Sequence, residues 1–177
     1  MKTEGKSVLI SEQEIQRRVA DMGADISRDY AGQSLTIVGV LKGSFIFIAD
    51  LIRQIDPTVL VDVEFMTVSS YRDGTVSTGE VRIERDVETP LEGKNVLLVE
   101  DIVDSGLTLN AVKDLLMSRR PRSLRIATLI EKEVNHRLPA SLDYVGFKIP
   151  DVFIIGYGLD FAQRYRNLKE IRVLDAS

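Results

Sequence analysis

A parallel α/β sheet flanked by helices is the fold class this sequence predicts, on three observations. Aliphatic runs, Val96 to Val99 above all, are short and unbroken, which suits strands buried on both faces of a parallel sheet. Segments with apolar residues at helical spacing stand between those runs, giving the alternation of repeated strand and helix units. The run at 96–99 then ends in Glu100, Asp101 and Asp104 and a Gly-containing hydroxyl turn. The carboxyl edge of such a sheet is where these folds bind ligands, so the acids are expected at the mouth of a site.

Ser11 to Glu14 is a capping box, and Ile15, Val19, Met22, Ile26 and Tyr30 follow at helical spacing, so residues 11 to about 31 are predicted as an amphipathic helix. Leu35 to Leu41 reads as a buried strand, Ser44 to about Ile55 as a helix, and Val59 to about Ser69 as a longer strand. Tyr71 to Gly79 is polar, rich in Gly, Ser and Thr, and lacks apolar residues to hold it down, which predicts a lid-like loop. Val81 to Arg85 is a short strand, Val96 to Val99 the central one, Leu107 to Ser118 a helix and Leu124 to Ile130 another strand. Asp143 to Phe147 and Val152 to Gly156 supply further short strands. Without a repeat, a low-complexity tract or a linker, residues 1–177 are expected to form one domain.

Composition removes several function classes. With no cysteine there is no disulfide framework, thiolate metal site or cysteine nucleophile. His136 is the sole histidine, so a zinc site would rest on carboxylates and a Ser-His-Asp triad on that one imidazole. Net charge is −4 with scattered basic residues, which leaves no footprint for extended nucleic-acid binding. No apolar run reaches the roughly 20 residues of a membrane helix, and the start lacks a secretory signal, so a cytoplasmic protein is expected.

Four segments carry chemistry. Val99-Glu-Asp-Ile-Val-Asp104-Ser105-Gly106-Leu107-Thr108 ends a strand in acids and opens a helix whose first N–H groups make a phosphate cradle. Leu41-Lys42-Gly43-Ser44 is a second strand-to-helix turn with a glycine for close approach and a lysine for charge. Ser69-Ser70-Tyr71 opens the polar stretch, and Asp143 to Leu168 holds Phe147, Phe153 and two glycines at 156 and 158 that bracket a tight turn. Taken in their order along the chain, the four segments resemble the type I phosphoribosyltransferases, and the last is similar to the purine-binding hood of hypoxanthine-guanine phosphoribosyltransferases. The resemblance covers residues 35 to about 172.

It implies a central parallel sheet with a small C-terminal hood, drawn mainly from about 132–177. It further implies Mg2+-dependent transfer of the 5-phosphoribosyl group from phosphoribosyl pyrophosphate (PRPP) to hypoxanthine or guanine, giving IMP or GMP and pyrophosphate. By match to the family motifs, Glu100 and Asp101 bind the ribose hydroxyls, directly or through the metal, and Asp104 is the general base toward purine N7. Asp104, Ser105, Gly106, Leu107 and Thr108 cradle the 5′-phosphate, while Lys42, Gly43 and Arg166 hold pyrophosphate. Ser70 and Tyr71 belong to the flexible loop. Lys132 donates to the purine 6-oxo group, Phe153 stacks on the base, Ile154 meets its 2-position edge, and Asp160 serves the base and, with Glu100 and Asp101, the metal. In family members the Leu-Lys bond at 41–42 can be a non-proline cis peptide. The sequence departs from the family at Glu133, where proline or a basic residue is expected. A homodimer or homotetramer is implied, with neither nucleic acid nor membrane as partner. An adenine- or orotate-specific relative would lack the hood and Lys132, and a non-catalytic PRPP sensor that binds RNA is disfavoured by the intact Asp104, Asp160 and Arg166.

Overall fold

The computed structural model describes residues 7–73, 76–133 and 141–174, with backbone alone over 70–73 and 76–81. His136 lies outside the described residues. Twelve elements follow in order: β1 (Val8–Ile10), α1 (Glu12–Asp29), β2 (Ser34–Leu41), α2 (Phe45–Ile52), β3 (Leu60–Asp73), β4 (Val76–Arg85), β5 (Asn95–Val103), α3 (Leu107–Ser118), β6 (Ser123–Lys132), β7 (Tyr144–Ile149), β8 (Ile154–Ile155) and β9 (Ile171–Val173).

The main sheet has the order β4-β3-β2-β5-β6-β7. Its inner pairs are parallel, as the aliphatic runs predict, while β4 joins β3 antiparallel at one edge. After β3 and β4 the chain returns to the other side of β2 to lay down β5, so the strand order reverses between β2 and β5. That reversal opens a crevice at the carboxyl ends of these two strands. Alternation along each strand sends Leu35, Ile37, Leu97, Val99 and Leu129 to one core with α1 and α2, and Val38, Val40, Val96, Leu98 and Ile126 to a second core with α3. Each fully buried aliphatic side chain stabilises the fold by about 1.5–3 kcal/mol relative to exposure.

α1 begins as the capping box requires. The Glu14 N–H donates to Ser11 Oγ at 3.3 Å, and the Ser11 N–H donates to the Glu14 carboxylate at 2.8 Å. Its buried stripe is Ile15, Val19, Met22, Gly23 and Ile26. Arg18 on α1 donates to the Val145 and Gly146 carbonyls at 2.6 and 3.0 Å, covering the backbone of β7, an edge strand.

Three expectations change. The polar stretch 71–79 is not a plain loop: β3 and β4 form a long hairpin through it, with Ser70 opposite Val81 and Asp73 opposite Val76. The central strand does not end at Val99 but continues to Val103, because β6 pairs with it from Asn95 through Val103. The strand at 124–130 likewise extends to Lys132, held by β7. A second, three-stranded sheet of order β1-β9-β8 adds the N-terminal strand Val8–Ile10 to the C-terminal segment.

Candidate active site

A cleft of about 800 Å³ opens over the carboxyl ends of β2 and β5 and is roofed by residues 153–166. The loop after β2 forms one wall. Its Leu41–Lys42 peptide is cis. Buried Ser44 closes the turn by donating to the Val40 carbonyl. A Cβ at Gly43 would stand 1.6 Å from Asp101 Oδ2, and one at Gly158 would stand 2.2 Å from the Gly43 carbonyl oxygen. The loop is therefore clasped between a carboxylate of β5 and the turn of the hood, and a side chain at either glycine would part them. Tyr157 adds to this tie, its hydroxyl donating to Asp50 of α2 at 2.7 Å.

Glu100 and Asp101 form the floor. As successive strand residues they leave β5 on opposite faces, yet both line the cleft. Burial pushes the Glu100 carboxyl well above the usual range, and the neighbouring Asp101 charge adds to it. Burial likewise pushes Asp101 up to about 6, partly offset by the Ile102 N–H at 2.9 Å and the Arg166 guanidinium. The turn that follows brings Asp104, Ser105, Gly106 and Thr108 to the cleft. Gly106 caps α3 with φ +77°, a left-handed conformation natural to glycine. The first N–H groups of α3 have no intrahelical acceptor and carry partial positive charge at the helix end where Gly106 and Thr108 line the cleft. Leu107 starts α3, and its N–H points to Ser105 Oγ at 3.5 Å.

Lys132 is the last residue of β6, buried, with its Nζ 3.7 Å from Asp104 and 2.9 Å from Asp151. The following Glu133 N–H donates to the Ile149 carbonyl at 2.7 Å, a bond that the proline expected there could not make. The hood consists of two consecutive tight turns, Gly156 with Leu159 and Phe161 with Arg164. Tyr157, Ala162, Gln163 and Tyr165 all have positive φ, a concentration of strained backbone typical of ligand clamps. Asp160 and Arg166 pair at 2.8 Å, and Arg166 also donates to the Gly158 carbonyl at 2.7 Å. Phe153 is 50% exposed on the cleft and Ile154 lies buried in β8 beside it.

The structure thus brings Lys42, Gly43, Glu100, Asp101, Asp104, Ser105, Gly106, Thr108, Lys132, Phe153, Ile154, Asp160 and Arg166 around one cleft. Ser70 and Tyr71 lie on β3, and their side chains fall outside the described residues. Two residues escape the sequence reading. Phe161 also lines the cleft and meets Phe153 edge to face at 5.7 Å, and Asp151 holds Lys132. An aromatic next to Asp160 was the available signal for the first; nothing local marks the second.

Among the described residues no group of three or more carboxylates or imidazoles forms a ready-made metal cage. The adjacent, partly buried Glu100 and Asp101 nonetheless fit a hard cation that completes its shell with water and phosphate oxygens. Asp160 fits less directly, being engaged by Arg166 and by the Gln163 N–H at 2.7 Å.

A switch-point cleft with an acidic floor, a helix N-terminus and an aromatic roof defines a nucleotide-handling transferase. A family model described as a phosphoribosyl transferase domain matches residues 7–162, and the chain belongs to that family. The hypoxanthine-guanine phosphoribosyltransferase of Bacillus subtilis (strain 168) is 47% identical over 174 residues, covering 98% of this chain and 96% of that one. That of Dictyostelium discoideum is 49% identical over 165 residues, covering 92% of each. The crystal structure of a Bacillus anthracis hypoxanthine-guanine phosphoribosyltransferase, 44% identical, superposes with a TM-score of 0.91 over 96% of this chain and 99% of that one. Within its family, therefore, this chain is similar to the hypoxanthine-guanine phosphoribosyltransferases along nearly its whole length.

Proposed function

We propose that this cleft transfers the 5-phosphoribosyl group of PRPP to hypoxanthine or guanine, releasing pyrophosphate and IMP or GMP, as a purine-salvage enzyme of the cytoplasm. The observation that carries the reading is the juxtaposition of Lys132 and Asp104, 3.7 Å apart, in the cleft that Phe153 also lines. A 6-oxopurine offers two neighbouring groups on one edge, an oxygen at C6 and a protonatable N7. Lys132 donates to the first and Asp104 accepts from the second, while Phe153 stacks on the ring. Adenine would turn an amino donor toward the Lys132 ammonium and leave a buried donor unpaired, so it is rejected.

The ribose hydroxyls bind Glu100 and Asp101, and the 5′-phosphate sits on the N–H groups and hydroxyls of Ser105, Gly106 and Thr108. Lys42 and Arg166, with the backbone at Gly43, receive pyrophosphate as the bond to C1′ weakens and N9 attacks from the opposite face. Glu100 and Asp101 would hold Mg2+, with Asp160 near the pyrophosphate. When bound, the cation supplies charge neutralisation for the phosphate oxygens. The β3–β4 hairpin closes over the cleft and excludes water from the reacting centre. A homodimer or homotetramer fits the apolar surface left on the α2 side of the sheet, where Phe45, Val63 and Phe65 are 44%, 37% and 36% exposed.

A spectrophotometric assay of the purified protein with PRPP and Mg2+, offering hypoxanthine, guanine, xanthine and adenine in parallel, tests the reading. Turnover of 6-oxopurines without adenine is expected; PRPP binding with no turnover of any base would overturn it in favour of a sensor. Asp104→Asn is expected to lower kcat about 10²- to 10⁴-fold with PRPP affinity nearly unchanged.

A further inference from the structure

Lys132 stands at the end of β6, and the β6/β7 register sets it opposite Ile149. Beyond Ile149 the chain turns at Pro150, the Val152 N–H donating to the Pro150 carbonyl at 2.9 Å. Asp151, at the head of that turn, returns its carboxylate to Lys132 Nζ at 2.9 Å. The second carboxylate near this ammonium is Asp104 at 3.7 Å. Lys132 and Asp104 line the cleft, whereas Asp151 does not. Glu131, whose side chain alternates to the other face of β6, pairs with Lys148 at 3.2 Å.

A buried ammonium needs an anion at contact distance. Lys132 is 8% exposed, so with Asp151 removed it would close on the nearest alternative, Asp104. That pair would occupy the donor meant for the 6-oxo group and the acceptor meant for N7 together. The geometry points to Asp151 as a positioning residue of the base-recognition edge: it draws the Lys132 ammonium toward β7, which keeps the donor and the general base apart. Asp151 acts through Lys132, never touching substrate. This inference rests on the function proposed above and adds the residue that keeps its two recognition groups from cancelling.

Steady-state kinetics of the full chain test it with Asp151→Asn, Asp151→Glu, Lys132→Met and the double variant Asp151→Asn/Lys132→Met. Asp151→Asn is expected to raise the KM for hypoxanthine about tenfold, the effect of one charged hydrogen bond misplaced. The KM for PRPP should stay within about twofold, and Asp151→Glu should restore most of the loss. In the Lys132→Met background, Asp151→Asn should add nothing. Equal penalties in the two backgrounds, or parallel rises in both KM values, would overturn the assignment while leaving the proposed function standing. A wild-type protein that turns over no 6-oxopurine would instead fail the function itself, and this inference with it.

Discussion

Gly43 shows how far a single residue constrains this site. The Asp101 carboxylate occupies the place a Cβ would take, and the Gly158 turn presses on the Gly43 carbonyl from the other side. Gly43→Ala is expected to displace Asp101 and raise the KM for PRPP about tenfold, roughly one charged hydrogen bond, with a much smaller effect on the KM for the base. Binding isotherms or initial rates with each substrate varied in turn would check this. At this scale the sequence was readable wherever a residue acts within its own motif. Asp104 and Gly106 announce a strand-to-helix turn by their order alone. Asp151 does not, because its partner Lys132 is 19 positions away and only the β6/β7 register brings them together.

The hood owes its shape to backbone that few sequences tolerate. Gly158 has φ +98°, and a side chain there would meet the Gly43 carbonyl in the loop after β2. Gly158→Ala is expected to destabilise the fold by about 1–3 kcal/mol, which thermal unfolding would register as a drop of several degrees, together with weaker pyrophosphate inhibition. The β3–β4 hairpin is an element that local reading mistook for a loop. Its residues over 71–79 are mostly polar, so hydrophobic periodicity is weak there. Helices were read more closely: α3 spans Leu107–Ser118 as its periodicity predicts, and α1 starts at its capping box.

Across the whole molecule, the acidic floor sets a pH dependence of definite sign. The folded Asp101 carboxyl is raised to about 6 and burial holds Glu100 well above the usual carboxylate range, so the folded chain binds more protons than the unfolded one. Stability from these two sites is therefore present below the ordinary carboxylate range and is lost as pH rises through about 6. Without metal, the contribution of this pair should favour the fold at pH 5 over pH 7. Mg2+ should raise Tm more at pH 7 than at pH 5, since at the lower pH it must displace protons. A Tm that responds to Mg2+ equally at both pH values would separate the metal from these carboxylates. The apolar surface at Phe45, Val63 and Phe65 belongs to the same scale. Phe45→Glu is expected to shift the protein toward monomer in light scattering, where the wild type should be a dimer or tetramer.

What the sequence by itself determined is the class of fold, the order of its inner elements and the residue types at the cleft. Aliphatic runs, helical spacing and strand-to-helix turns are local properties, dictated by burial and backbone geometry within a dozen residues. What tertiary structure decided is everything that depends on residues distant in the chain. The strand reversal between β2 and β5 put Gly43 against Asp101. Pairing with β6 carried β5 past its apolar run, so Glu100 and Asp101 stand on a strand and not beyond one. The β1-β9-β8 sheet joined the N-terminal strand Val8–Ile10 to residues near the far end of the chain, a contact that no local pattern encodes. The reason is physical: hydrogen-bond register and side-chain packing between distant strands are set by the global arrangement that satisfies every buried polar group together, and a linear pattern carries only half of each such pair.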